Sequence, residues 1–114
     1  MQATPATWRL LIEAGWRGDP GFKALCGGEA LPPELASELV GRVDALWNMY
    51  GPTETTVWST CARIDRDQPD VTIGGPIANT EAWVLDEAGE LAPIGVPGEL
   101  YLGGAGVAIG YHAR

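Results

Sequence analysis

Lysine occurs once, at position 23, and histidine once, at position 112, in a chain of 114 residues. Seven Lys and Arg face fifteen Asp and Glu, for a formal charge of −8. Phosphate backbones are held by clustered cations, so few and scattered ones argue against nucleic acid as a partner. A nucleotide stays accessible to an acidic protein if a metal ion and backbone amides neutralise its phosphates. Cysteine is equally scarce. Cys26 and Cys61 stand far apart and outside any C-x-x-C pair, which argues against a disulfide framework or a zinc site. Each reads as a reduced thiol among small or apolar neighbours. His112 has no second metal ligand at useful spacing and reads as a surface or structural histidine. No apolar run approaches the roughly 18 residues needed to cross a membrane. Residues 1–5 show no basic segment leading into an apolar one, so no signal peptide is expected. A cytoplasmic protein without membrane contact is the expectation.

What is present is globular: 46% hydrophobic residues, with 16 glycines and 9 prolines as punctuation. Thr4 followed by Pro5 predicts a helix start, a hydroxyl cap and then a residue whose missing N–H costs nothing there. Trp8, Leu11 and Ile12 recur at helical spacing, and Gly15 supplies the stop. Residues 22–26 read as a short strand ended by Gly27 and Gly28. Pro32 and Pro33 open a second helix over 34–40, closed by Gly41, and 43–49 read as another strand. Helix, strand, helix, strand implies a parallel α/β layer. The character changes after Ala62. Residues 63–70 are polar and contain Pro69, which suggests a loop or linker. Strands near 81–86 and 98–102, with a turn at 86–89, then predict an antiparallel β unit. The expected fold is therefore α/β, with a partial parallel layer over 1–62 and a partial β-rich subdomain over 63–114. Neither half looks self-sufficient, because parallel strands are normally buried on both faces. The expectation is an internal piece of one larger domain.

Asn48-Met49-Tyr50-Gly51-Pro52-Thr53-Glu54-Thr55-Thr56 is the most informative stretch. A strand ending at 49 projects these residues toward the carboxyl edge of a sheet, where open α/β sheets bind ligands. Tyr50 offers a flat face for a purine, and Asn48 a donor and an acceptor for its edge. Gly51 permits close backbone approach and Pro52 fixes the turn. The Thr53 hydroxyl can reach a phosphate oxygen. Glu54 would repel phosphate directly, so its partner is Mg²⁺, a hard cation that takes oxygen ligands. Taken singly, each residue fits an ordinary strand-to-loop turn; the ordered set points to a loop that handles Mg·ATP.

This string resembles the nucleotide-binding motif of adenylate-forming (AMP-binding) enzymes, most closely the adenylation domains of nonribosomal peptide synthetases. Leu25-Cys26-Gly27-Gly28-Glu29-Ala30-Leu31 is similar to the family segment that packs against adenine. Ile73-Gly74-Gly75-Pro76-Ile77 resembles a β segment between the motifs, and Gly98-Glu99-Leu100-Tyr101-Leu102-Gly103-Gly104-Ala105-Gly106-Val107-Ala108 the downstream Gly-rich motif. That motif usually ends Ala-Arg-Gly-Tyr, whereas this chain reads Ala108-Ile109-Gly110-Tyr111 and lacks the cation.

The resemblance implies a ligase of the large N-terminal lobe type. A small carboxylic acid attacks the α-phosphate of ATP, and the acyl group then passes to phosphopantetheine on a carrier (thiolation) domain. It also implies roles for individual residues. Thr53 and Glu54 would be catalytic, Glu54 as the metal ligand. Gly28, Glu29, Ala30, Asn48, Met49, Tyr50, Gly51 and Thr53 would hold the nucleotide. Thr7, Leu25, Gly27, Met49, Val57 and Trp58 would line the acyl pocket, with Gly27 leaving space. That lining has no formal charge, which favours a neutral amino acid, since a charged side chain would be left unpaired on desolvation. The family's phosphate-gripping loop would lie upstream of Met1. Its ribose-binding aspartate and lysine-bearing C-terminal lobe would lie downstream of Arg114. The 114 residues alone are therefore expected not to adenylate, and the remainder of the domain is an expected partner. An acyl-coenzyme A ligase piece and a non-catalytic binding subdomain stay open as alternatives. A dinucleotide loop at Gly104-x-Gly106-x-x-x-Gly110 misses the G-x-G-x-x-G spacing.

Overall fold

The computed structural model describes residues 1–67 and 70–112. The helix cap expected at Thr4 is formed: its hydroxyl accepts from the Thr7 amide at 3.3 Å, and Pro5 begins α1 (Pro5–Glu13). The helix ends where Gly15, at φ +93°, takes the left-handed conformation. Gly15 N–H then reaches Ile12 O and Trp16 N–H reaches Leu11 O, which satisfies carbonyls that the helix leaves unpaired. A second helix, α2 (Pro33–Val40), begins at Pro33 and buries Leu35, Ala36, Leu39 and Val40.

These helices connect parallel strands β1 (Gln2–Ala3), β2 (Asp19–Gly27) and β3 (Val43–Tyr50). Two further strands, β4 (Thr60–Ile64) and β5 (Gly75–Pro76), continue the same sheet antiparallel, in the order β1-β2-β3-β4-β5. Residues 80–104 form a separate antiparallel pair, β6 (Thr80–Leu85) and β7 (Glu99–Gly104), with Trp83 opposite Tyr101. The parallel layer followed by a β unit is the expected α/β architecture. Two details differ from expectation, and a third is untested. The two-residue β1 is too short for any periodicity to betray it. The 62/63 division falls inside β4, because β4 pairs with β3 although its polar alternation reads as the start of a loop. Pro69, which suggested the linker, lies outside the described residues.

Strand alternation sorts the sheet into two faces. Ala24, Cys26, Leu46 and Ile64 face the helices and join Trp8, Leu35, Ala36 and Leu39 in one buried cluster. Trp8, fully buried, stacks tilted on Trp16 (centroids 5.6 Å) and edge-on to Phe22 (6.3 Å), and its Nε1 donates to Leu25 O at 3.3 Å. Burial raises the Cys26 thiol to about 11, with the nearby Glu29 charge adding to it, so it stays protonated and inert. The other face carries Leu25, Trp47, Met49 and Cys61, all only partly buried. No helix among the described residues is long and apolar enough to cross a membrane.

Candidate functional site

The carboxyl end of β3 delivers Asn48, Met49 and Tyr50 next to the turn that follows β2. Gly28, Glu29, Ala30, Asn48, Met49, Tyr50 and Gly51 line a single cleft of about 430 Å³, together with Ile73. Tyr50 is 38% exposed, so its ring is available to a ligand. Asn48, 6% exposed, spends its amide N–H on the Thr72 carbonyl at 2.8 Å. That bond orients the side chain and leaves its carbonyl oxygen as the acceptor.

Beyond Tyr50 the chain closes on itself. Ser59 N–H donates to Tyr50 O at 2.8 Å, tying the two ends of the loop together. A Cβ on Gly51 would lie 2.5 Å from Val57 O and 2.7 Å from Trp58 Cα, so only glycine lets the two backbones approach this closely. The buried Thr55 hydroxyl donates to Pro52 O at 3.1 Å and accepts from the Ser59 hydroxyl. The backbone then bends sharply. Thr56 and Val57, both β-branched, sit at φ 58° and 75°, a conformation such residues rarely adopt. Strain of this kind persists where surrounding contacts enforce it, often at functional sites.

Two further hollows share bordering residues in turn. Gly28 and Gly51 also line a cavity of about 570 Å³ with Gln2, Thr4, Gly27, Thr53, Thr56, Val57 and Trp58. Thr53 in turn borders one of about 220 Å³ with Glu54, Ala108, Gly110, Tyr111 and His112. Tyr50 and Glu54 thus line different hollows, joined through Gly51 and Thr53. Gly27 leaves no open space, contrary to expectation. A Cβ there would lie 2.4 Å from Trp58 Cη2, so the indole already fills the room. Val57, 61% exposed, and Trp58 border the middle cavity, and Met49 borders the first. Leu25 and Thr7 border none of these hollows. Leu25 lies on the open sheet face, and Thr7 is exposed on the first turn of α1, where Thr4 borders the cavity instead.

Glu54 is fully exposed at its carboxylate, and Oε1 accepts the Tyr111 hydroxyl at 2.8 Å. That hydrogen bond is the main cause holding the carboxyl below its ordinary value, and the same bond raises Tyr111. The contact needs an ionised Glu54 and a protonated Tyr111. Its contribution is therefore complete above the ordinary glutamate value of 4.5 and below the ordinary tyrosine value of 10.0. It fades as pH falls through the lowered Glu54 value, or rises through the raised Tyr111 value. Carboxyl ¹³C titration of the metal-free protein should give a Glu54 midpoint that moves up in Tyr111→Phe; an unmoved midpoint would refute the contact.

Thr72 carried no local signal, and Ile73 and Tyr111, though they stand in the quoted motifs, were given no role at the loop, which they meet only through the fold. Among the described residues there is no group of three or more His, Cys, Asp or Glu that could hold a metal. A cation here would draw on one carboxylate, phosphate oxygens and water, the donor set Mg²⁺ commonly takes in phosphate sites. Glu54 fits that role: its carboxylate is exposed and borders the hollow beside Thr53.

The family model "AMP-binding enzyme" matches residues 1–112. A dimodular nonribosomal peptide synthase of Bacillus subtilis is 45% identical over 115 residues, covering 100% of this chain and 5% of that protein. A crystal structure of a four-domain nonribosomal peptide synthetase in its holo form, bound to AMP and glycine, superposes with a TM-score of 0.93. It is 55% identical over 99% of this chain and 8% of its own. A nonribosomal peptide synthetase protein containing adenylation and PCP domains is 30% identical, with a TM-score of 0.79 over 96% of this chain and 24% of its own. The fold and the ordered loops thus define an α/β unit shared with these proteins. The chain belongs to the AMP-binding enzyme family, and its relatives are adenylation domains of nonribosomal peptide synthetases. It spans 4–6% of the length of several curated relatives.

Proposed function

We propose that this chain forms the adenine- and metal-facing part of an adenylation domain that activates a neutral amino acid with ATP. One observation carries the reading: residues 28–30 and 48–51 frame one cleft, Gly28 and Gly51 also border the next hollow, and Thr53 borders both that one and the hollow lined by Glu54. A nucleotide laid along these hollows has its base on Tyr50 and its phosphates near Thr53 and Glu54. One Asn48 N–H is committed to Thr72, which fixes the amide and sets its carbonyl oxygen as an acceptor for the amino group of adenine. Mg²⁺ held by Glu54 would neutralise the phosphate charge that builds up during transfer.

The reaction joins a carboxylate oxygen of the substrate to the α-phosphorus and breaks the bond to the β-phosphate oxygen, releasing pyrophosphate. This chain's contribution is to stack and orient the base, hold the loop rigid, and place the Thr53 hydroxyl beside the phosphates. Trp58 seated on Gly27 closes the floor of the middle cavity with an apolar surface, which favours an uncharged substrate side chain. A carrier domain bearing phosphopantetheine is the proposed acceptor of the acyl group, in line with the relative that joins adenylation and PCP domains. A cytoplasmic setting, where ATP is available, accompanies this reading.

The test is amino-acid-dependent pyrophosphate exchange by the complete domain that carries this segment. Exchange with neutral amino acids is expected; exchange confined to Asp, Glu, Lys or Arg would overturn the pocket reading. Tyr50→Ala should weaken ATP binding about 10-fold or more, since stacking on an aromatic ring contributes roughly 1–3 kcal/mol per base. Calorimetry reads this directly, and Tyr50→Phe should restore affinity.

A further inference from the structure

We infer that Tyr111 is a positioning residue for the metal ligand, acting through a strap formed by residues 104–111. The inference rests on the reading of Glu54 as the carboxylate that meets Mg²⁺. Three hydrogen bonds join the strap to the loop across fifty or more residues of sequence. Ala108 N–H donates to Glu54 O at 2.7 Å, the Thr56 hydroxyl donates to Gly106 O at 2.7 Å, and the Tyr111 hydroxyl donates to Glu54 Oε1 at 2.8 Å. The strap also packs closely: a Cβ on Gly106 would come within 2.9 Å of Thr55 O.

The division of labour follows from the atoms involved. Ala108 fixes the main chain of Glu54, and Thr56 is held in its unusual backbone conformation by the bond to Gly106. Tyr111 is the side chain, among the described residues, that hydrogen-bonds the exposed Glu54 carboxylate, which also accepts from its own main-chain N–H. By engaging Oε1, the hydroxyl holds one carboxylate oxygen in place, which suits monodentate metal binding by a carboxylate that borders the hollow. Outer partners of this kind orient metal-binding carboxylates and are nearly as important as the ligands themselves. Ile109 takes no part. Its side chain is fully exposed, so the cation missing from this position does not open the strap.

Tyr111→Phe in the complete domain removes one exposed oxygen and tests the assignment. Three quantities are to be measured: Mn²⁺ affinity in the presence of ATP by electron paramagnetic resonance, AMP affinity without metal by calorimetry, and the Mg²⁺ dependence of pyrophosphate exchange. Metal affinity should fall about 10-fold, the low end for loss of an outer partner. Exchange should recover at saturating Mg²⁺, and AMP affinity should hold. Unchanged metal dependence in the variant, beside a metal-responsive wild type, overturns the inference and leaves the function standing. Parallel losses of AMP and metal affinity also overturn it, because they mark a general structural role. A wild type with no metal-dependent ATP binding removes the functional reading and the inference together. As a second check, Tyr111→Phe should have no further effect on metal affinity in a Glu54→Gln background; additive losses would refute the coupling.

Discussion

Glu54→Ala in the complete domain is expected to lower pyrophosphate exchange about 10²–10³-fold, the scale on which removing one preorganised charge-stabilising group slows a reaction. Folding should be unaltered, because the side chain is exposed and the side chain it hydrogen-bonds is exposed as well. AMP binding without metal should also persist, since Tyr50, Asn48 and residues 28–30 line a separate hollow. Glu54→Asp is the sharper variant. It keeps the charge but withdraws it by one methylene, from the hollow and from Tyr111 alike. Metal dependence should therefore suffer more than maximal rate. An alanine variant that exchanges pyrophosphate at the wild-type rate would eliminate Glu54 as the metal ligand.

Trp8→Ala should destabilise the domain by about 3–5 kcal/mol, the range for removing a large buried aromatic. Trp8 is fully buried against Trp16 and Phe22, and it supplies the hydrogen bond to Leu25 O. Its loss opens a cavity and leaves a carbonyl without its partner two residues before Gly27. Nucleotide affinity should fall with stability, because Gly28, Glu29 and Ala30 hang from that end of β2. Trp8→Phe, which keeps a ring but loses the indole N–H, should cost clearly less. Urea unfolding of both variants measures the difference. A loss of no more than about 1 kcal/mol for alanine, the centre of the distribution for single substitutions, would show that the aromatic cluster does not anchor α1.

The helices and central strands were legible because their signals are local. Thr4-Pro5 and Gly15 bracket α1, and Pro33 and Gly41 bracket α2, each a signal carried by one or two residues. The ordered loop from Asn48 to Glu54 was legible for the same reason. Other features left no trace in any window. β1 is two residues long and exists only because β2 offers it an edge. β4 looks like loop, since its partner Leu46–Tyr50 supplies the pairing. Gly27 reads as an opening until Trp58 is seen to fill it, thirty-one residues further on. Thr7 and Leu25 were placed in the acyl pocket by motif alignment alone, while in the fold Thr4 borders that cavity and Leu25 lies on the open face of the sheet.

By itself the sequence determined which segments become helix and strand, and which loop carries the chemistry of a nucleotide. Caps, turns and alternation act over a few residues and need no distant partner. Only the tertiary structure decided which groups meet across the chain: Thr72 with Asn48, Gly106 with Thr56, Tyr111 with Glu54. Those meetings depend on where β5 and the β6–β7 pair come to rest against the loop, and that position is set by long-range packing.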